Sequence, residues 1–180
     1  MIEGASVRLR APEKADLPYF LKWINDPEVT AYLPVGALVS PEEEEAWLRG
    51  VMSSSSERTF SIETKDGRLI GNCALREIDW THRRADVGIM IGEKGAWSRG
   101  YGTDALAVLL GLAFGEMGLN RASLTAAADN LRAIRAYEKC GFRREGVLRS
   151  YLYKNGQYID CVQMSLLKDE WNGLPAGRRP

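Results

Sequence analysis

Trp97-Ser98-Arg99-Gly100-Tyr101-Gly102-Thr103-Asp104 decides how this chain is read. A strand-like run, Asp86-Val87-Gly88-Ile89-Met90-Ile91-Gly92, precedes it. An almost wholly apolar helical run, Ala105 to Phe114, follows it. Strand, glycine-rich loop and buried helix together present free backbone N–H groups to an anion. The first-turn N–H groups of a helix lack intrahelical acceptors, and the helix dipole favours negative charge there. Gly100 and Gly102 let the backbone approach such a group closely. The loop therefore reads as a pyrophosphate cradle or, more plainly, as a helix start with flexible glycines. A P-loop is excluded, because no Lys-Ser/Thr pair follows the glycines. A dinucleotide fingerprint is matched only in part, with Ala105 in the third glycine's place.

Outward from the loop, the pattern is a single α/β domain over residues 1–172, with 173–180 a frayed tail. Val7–Arg10 reads as a strand. Asp16 is placed to cap a helix carrying Leu17, Phe20, Leu21 and Ile24 on one face, ended by Asp26-Pro27. Ser40-Pro41-Glu42-Glu43 is a capping box with proline at the first helical position, and its helix is expected to bury Trp47, Leu48, Val51 and Met52. Strands are expected at 59–63 and 69–75, joined by Asp66-Gly67, then at 86–91 and 121–126. Asn130 caps a helix that stops at Gly141, and a last hairpin, 147–153 with 158–166, turns at Asn155-Gly156.

Composition narrows the function classes. Lys plus Arg number 24, Asp plus Glu number 24, and net charge is zero. Nothing calls for nucleic acid or an anionic membrane, and no apolar run approaches a membrane span. Three widely spaced cysteines, Cys73, Cys140 and Cys161, with His82 as the one histidine, argue against a metal site and for a reducing compartment. The run Glu42 to Glu45 either suits a helix dipole or attracts a polycation. His82 reads as a turn residue, and Cys140, with no histidine near it in sequence, as packing.

The second motif is Asn130-Leu131-Arg132-Ala133-Ile134-Arg135-Ala136-Tyr137-Glu138-Lys139-Cys140-Gly141-Phe142. Two helical turns put Asn130 and Tyr137 on one face. On its own, Tyr137 reads equally as a core aromatic. Together with the glycine loop, the pattern resembles the GNAT superfamily of acetyl-CoA-dependent N-acetyltransferases, over Ile2 to about Trp171. Val7 to Pro12 and Trp23 to Val29 look like the branch of ribosomal-protein N-terminal acetyltransferases. Ser56 to Phe60 and Glu77 to Asp86 are similar to the spermidine/spermine acetyltransferases of that branch. The chain departs from the superfamily at Trp97, where Gln or Arg is usual, and from the spermidine enzymes at Ala74, where those carry an acid.

The resemblance implies the GNAT fold: a mixed central sheet of about seven strands, splayed between the fourth and fifth and flanked by about four helices. It implies acetyl-CoA as cosubstrate, a primary amine as acceptor, a cytoplasmic setting and a homodimer. Ile89, Met90 and Ile91 would meet the pantetheine arm. Trp97, Ser98, Arg99, Gly100, Tyr101, Gly102 and Thr103 would hold the pyrophosphate, and Asn130 would bond the cofactor. Tyr137 would protonate the departing thiolate, with Asp86 or Glu77 taking the amine's proton. A protein N-terminus, a polyamine or an amino sugar fits as acceptor. A GNAT-like domain that binds CoA without catalysis is the competing class.

Overall fold

The structure is a computed structural model that describes residues 1–35 and 38–173. The expected tail, apart from Gly173, lies outside the described residues. Among the described residues eight strands form one mixed sheet: β1 (Ile2–Glu3), β2 (Val7–Arg10), β3 (Arg58–Thr64), β4 (Leu69–Asp79), β5 (Arg84–Ile91), β6 (Arg121–Ala127), β7 (Arg143–Lys154) and β8 (Gln157–Leu167). Their spatial order is β1-β2-β3-β4-β5-β6-β8-β7. The two-residue β1 is the strand that the sequence pattern did not show; it is too short to carry an alternation. Among the described residues four α-helices accompany the sheet: α1 (Leu17–Ile24), α2 (Pro41–Ser53), α3 (Tyr101–Gly111) and α4 (Leu131–Lys139).

Two apolar layers hold the sheet. The larger lies between the strands and α3 and α4, and includes Leu75, Val87, Leu106, Leu109, Leu110, Phe114, Ile134 and Met164. Burial of such side chains is the main favourable term in folding. The smaller layer sets Phe20 and Trp23 of α1 against Leu69, Trp47 and Met90.

The expected splay is present. β5 and β6 are parallel neighbours for only three residue pairs, Arg84↔Arg121, Ala85↔Ala122 and Asp86↔Ser123. Beyond Asp86 and Ser123 the strands part. β5 stays paired with β4 as far as Gly71↔Ile91, and β6 with β8 as far as Ala127↔Cys161. The backbone edges that face one another across the gap are thus open. This is possible because α3 connects the two strands and its apolar side chains fill the space beneath.

Local chemistry matches the pattern at most element ends. Ser40 Oγ accepts from Glu43 N–H (3.2 Å) and Glu43 Oε2 from Ser40 N–H (2.8 Å), the expected capping box. Asn155 and Gly156 both have positive φ, 51° and 78°, as a two-residue hairpin turn requires. The run of four glutamates is used structurally: Glu43 in the box, Glu44 buried, and Glu45 paired with Arg49 at 2.8 Å.

Two expectations are corrected. Asp16 does not cap α1 through its side chain. Its carboxylate instead accepts from Arg10 (2.7 and 2.8 Å), Ser61 Oγ (2.7 Å) and Glu13 N–H (2.9 Å), because it is buried under β2 and β3. Met52 is 64% exposed rather than buried. The face of α2 that packs inward runs through Glu44, Leu48 and Val51, one step around the helix.

Candidate active site

The head of α3 forms a concave backbone surface. Ser98 (φ 59°) and Gly100 (φ 85°) are both left-handed, so successive N–H groups turn to one side. Glycine is suited to this at position 100; at Ser98 the same geometry is strained. Gly100 is the N-cap residue and makes no side-chain cap, so the N–H groups of Tyr101, Gly102 and Thr103 open the helix without intrahelical acceptors. The amide of Trp97 is already used, donating to Lys94 C=O at 3.1 Å. Its indole Nε1–H donates to Ile91 C=O at 2.6 Å and pins the loop to the end of β5.

This surface opens into a cleft of about 510 Å³ that runs through the gap between β5 and β6. Ile89, Met90 and Ile91 line one wall; Thr125, Ala126 and Ala127 line the other. Trp97, Ser98, Gly100, Tyr101, Gly102 and Thr103 form one end. From α4 come Ala133, Ala136 and Tyr137, with Asn130 at the cap. Val29, Tyr32 and Leu33 close the cleft on the α1 side. That roof is tied down by the β7–β8 hairpin, since Lys154 Nζ–H donates to Thr30 C=O and, at 2.9 Å, to Leu33 C=O.

Of the residues singled out from sequence, Asn130 and Tyr137 share the cleft. Asn130 Oδ1 accepts from Ala133 N–H (3.2 Å), which spends the oxygen on the cap and leaves the amide's N–H donors. Tyr137 is 8% exposed and its ring packs edge-on against Phe142 at 5.9 Å. Burial pushes its hydroxyl up to about 12, against a smaller opposing pull from the Arg76 cation. The group therefore keeps its proton at neutral pH. Cys140 is a packing residue: its thiol contacts Thr103 C=O at 3.6 Å, and burial raises it to about 12.

Three expected residues lie off the cleft wall. Arg99 is exposed, with its guanidinium 5.9 Å from the Tyr101 ring centroid. Asp86 sits at the last β5–β6 pair, where the strands begin to part, and its carboxylate accepts from Ser123 Oγ–H. Glu77 is exposed at an irregularity in the β4–β5 pairing, with φ 51°. Four residues were missed. Arg132, Arg135 and Lys139 bring three cations from α4 to the cleft, and Lys154 fixes its roof. Arg132 stacks over the Trp97 indole at 4.1 Å. Spacing on α4 could have flagged the cations, whereas nothing local marks Lys154.

A helix head with open N–H groups, a gap between parted strands and a protonated tyrosine on α4 are now in place. The sequence pattern of the acetyltransferase (GNAT) domain matches residues 6–143. The chain belongs to this GNAT acetyltransferase family. It is 29% identical over 168 residues to a spermidine N(1)-acetyltransferase of Vibrio cholerae, covering 93% of this chain and 96% of that one. It is 39% identical over 108 residues to YdaF of Bacillus subtilis, a suggested ribosomal N-acetyltransferase, over 60% of this chain and 58% of that protein. A crystal structure of spermidine N-acetyltransferase from Vibrio cholerae in complex with CoA and spermine superposes with a TM-score of 0.87 at 29% identity, covering 92% of this chain and 98% of that chain. The chain is thus an N-acetyltransferase of the GNAT fold. Among the described residues no helix is long and apolar enough to cross a membrane, and no group of three or more His, Cys, Asp or Glu is placed to hold a metal ion.

Proposed function

We propose that the protein transfers the acetyl group of acetyl-CoA to a primary amine by direct attack. The observation that carries this is the meeting of two features in one cleft: the left-handed backbone cradle at the head of α3, and Tyr137 facing the gap between β5 and β6. The cradle residues 98–103 suit a pyrophosphate, and Arg132, Arg135 and Lys139 add positive charge beside it. Open backbone groups at 89–91 suit the amides of a pantetheine arm, and Asn130 has N–H donors left for the cosubstrate.

In the reaction the amine lone pair forms the new C–N bond at the thioester carbonyl. The C–S bond breaks, and the sulfur takes the electron pair and a proton from Tyr137. Backbone N–H groups along β5 are suited to the developing oxyanion. The amine must arrive neutral: at pH 7 that costs about 4.6 kcal/mol for a lysine-like amine of pKa ~10.4, but only about 1.4 for an α-amine near 8. Asp86, at the throat of the gap, is the stronger candidate to take the amine's proton through water; Glu77 lies further out on β4. Cytoplasmic residence fits the three free, buried cysteines. A homodimer fits the unpartnered edge of β7, where Val147, Tyr151 and Tyr153 are exposed.

The test is thiol release from acetyl-CoA against a panel of amines, with thermal stabilisation by acetyl-CoA in parallel. Turnover of any amine supports the proposal. Stabilisation with no turnover of any amine would leave a CoA-binding protein and refute acetyl transfer.

A further inference from the structure

Arg76 is the charged side chain at the throat of the gap that the chemistry above leaves unused. It stands on β4 directly opposite Asp86, so the two side chains share one face of the sheet. They do not form an ion pair. The Asp86 carboxylate is held from the other side by Ser123. The Arg76 side chain instead turns along the sheet and lies over Gly88. A Cβ at position 88 would come within 2.7 Å of Arg76 Nη2, 3.0 Å of Cζ and 3.2 Å of Nε. The guanidinium therefore takes up the space beside Gly88 that a Cβ would fill, two residues past the last β5–β6 pair, where the strands have parted.

Two other carboxylates on the sheet are already paired. Asp79 binds Arg84 (3.3 Å) and His82 N–H (2.9 Å). Glu145 binds Arg121 (2.5 Å) and Ser165 Oγ–H (2.7 Å). Among the described residues Arg76 makes no ion pair, and it is exposed. Proximity to the reacting centre has a second, independent sign: its charge is felt by the Tyr137 hydroxyl.

We propose that Arg76 binds an oxyanion on the acceptor, so that the acceptor is a small zwitterion carrying an amine and a carboxylate or phosphate a few bonds apart. The inference rests on the amine acetylation proposed above and names its substrate class. An amine drawn towards Asp86 places its neighbouring atoms over Gly88, about 7 Å further along the strand. A guanidinium presents paired N–H donors that match a carboxylate or phosphate edge. A polycation entering the same throat meets an unpaired positive charge instead.

The experiment compares kcat/KM for a neutral L-amino acid, the carboxamide of the same amino acid, O-phosphoethanolamine and spermidine, in the wild type, Arg76→Gln and Gly88→Ala. Gly88→Ala keeps the charge but displaces the guanidinium. The expected result is at least a 10-fold preference for a zwitterion over both the carboxamide and spermidine. Arg76→Gln abolishes that preference by raising KM for the zwitterion while leaving the carboxamide unchanged, and Gly88→Ala acts in the same direction. Preference for the amino acid identifies a carboxylate, and preference for phosphoethanolamine a phosphate. Retained thermal stabilisation by acetyl-CoA shows that each variant is folded. The proposal is overturned if spermidine is the best acceptor, or if Arg76→Gln lowers kcat equally for all amines, which would make Arg76 a partner of the thiolate. If no amine is acetylated by the wild type, acetyl transfer and the zwitterionic acceptor fall together, whereas turnover that favours spermidine removes only the latter.

Discussion

At the scale of single residues, Tyr137 shows how burial sets a chemical role. Its hydroxyl is raised to about 12 because the α3–α4 layer excludes water around it. A phenol in that state keeps its proton at neutral pH and can donate it. In the proposed reaction, transfer to a thiolate whose thiol has a pKa of about 8.5 is uphill by roughly 5 kcal/mol, so the proton would move as the C–S bond breaks, not before. The Arg76 charge opposes the rise only in part, and burial decides the outcome. Tyr137→Phe is expected to lower kcat by about 100-fold to 10,000-fold while the Kd for acetyl-CoA changes less than about threefold. Single-turnover kinetics with an independent binding isotherm separates the two. An unchanged kcat would assign the proton to another donor.

At the scale of elements, the site is made by the two helices that follow the parted strands. α3 gives its head and α4 gives one face. The indole of Trp97 joins them, since it bonds β5 below and carries the Arg132 guanidinium above. Arg132→Ala removes that stacking and one cation from the cleft. The loss is expected to be about 1–2 kcal/mol, seen as a roughly 5-fold to 30-fold rise in KM for acetyl-CoA with kcat nearly unchanged. A matching fall in kcat instead would place Arg132 in the chemical step. Much of this was legible in the chain. The glycine loop between a strand and an apolar run, and the two-turn spacing of Asn130 and Tyr137, are local patterns, and local patterns survive in sequence. Trp97 looked like a departure from the usual loop and proves to be its anchor. What could not be read were contacts made across the fold: Lys154 reaching the carbonyls of Thr30 and Leu33, and Arg76 lying over Gly88. Asp16 was misread for the same reason, because its partners Arg10 and Ser61 lie on strands that only the folded sheet brings together.

For the whole molecule, the splay demands that α3 be held firmly, because β5 and β6 do not hold each other beyond Ser123. The fastening is Asp104. Its buried carboxylate accepts from Ala5 N–H (3.1 Å), Ser6 N–H (2.6 Å), Ser6 Oγ–H (2.8 Å) and Val7 N–H (3.0 Å), and so ties the first turn of α3 to the start of β2. Burial on its own would raise this group. The hydrogen bonds from Ser6, Ala5 and Val7 outweigh burial and hold it below the usual aspartate value. Asp16 behaves alike: burial opposes its charge, and Arg10, Glu13 N–H and Ser61 prevail. A folded-state value below the unfolded one gives stability that is present above the unfolded pKa of about 3.9 and lost as pH falls through the folded value. Thermal stability is therefore expected to be flat near neutrality and to drop below about pH 4. Asp104→Asn keeps the shape but turns one acceptor oxygen into a donor facing N–H groups, at a cost of about 2–4 kcal/mol near neutral pH. In a chain of this size that is a fall in Tm of roughly 4–16 °C. The variant's acid slope is expected to be shallower than the wild type's, since one of the buried carboxylates held low is gone. Calorimetric Tm from pH 2 to 7 measures both effects, and parallel acid slopes for the two proteins would show that Asp104 does not fasten α3 through its charge.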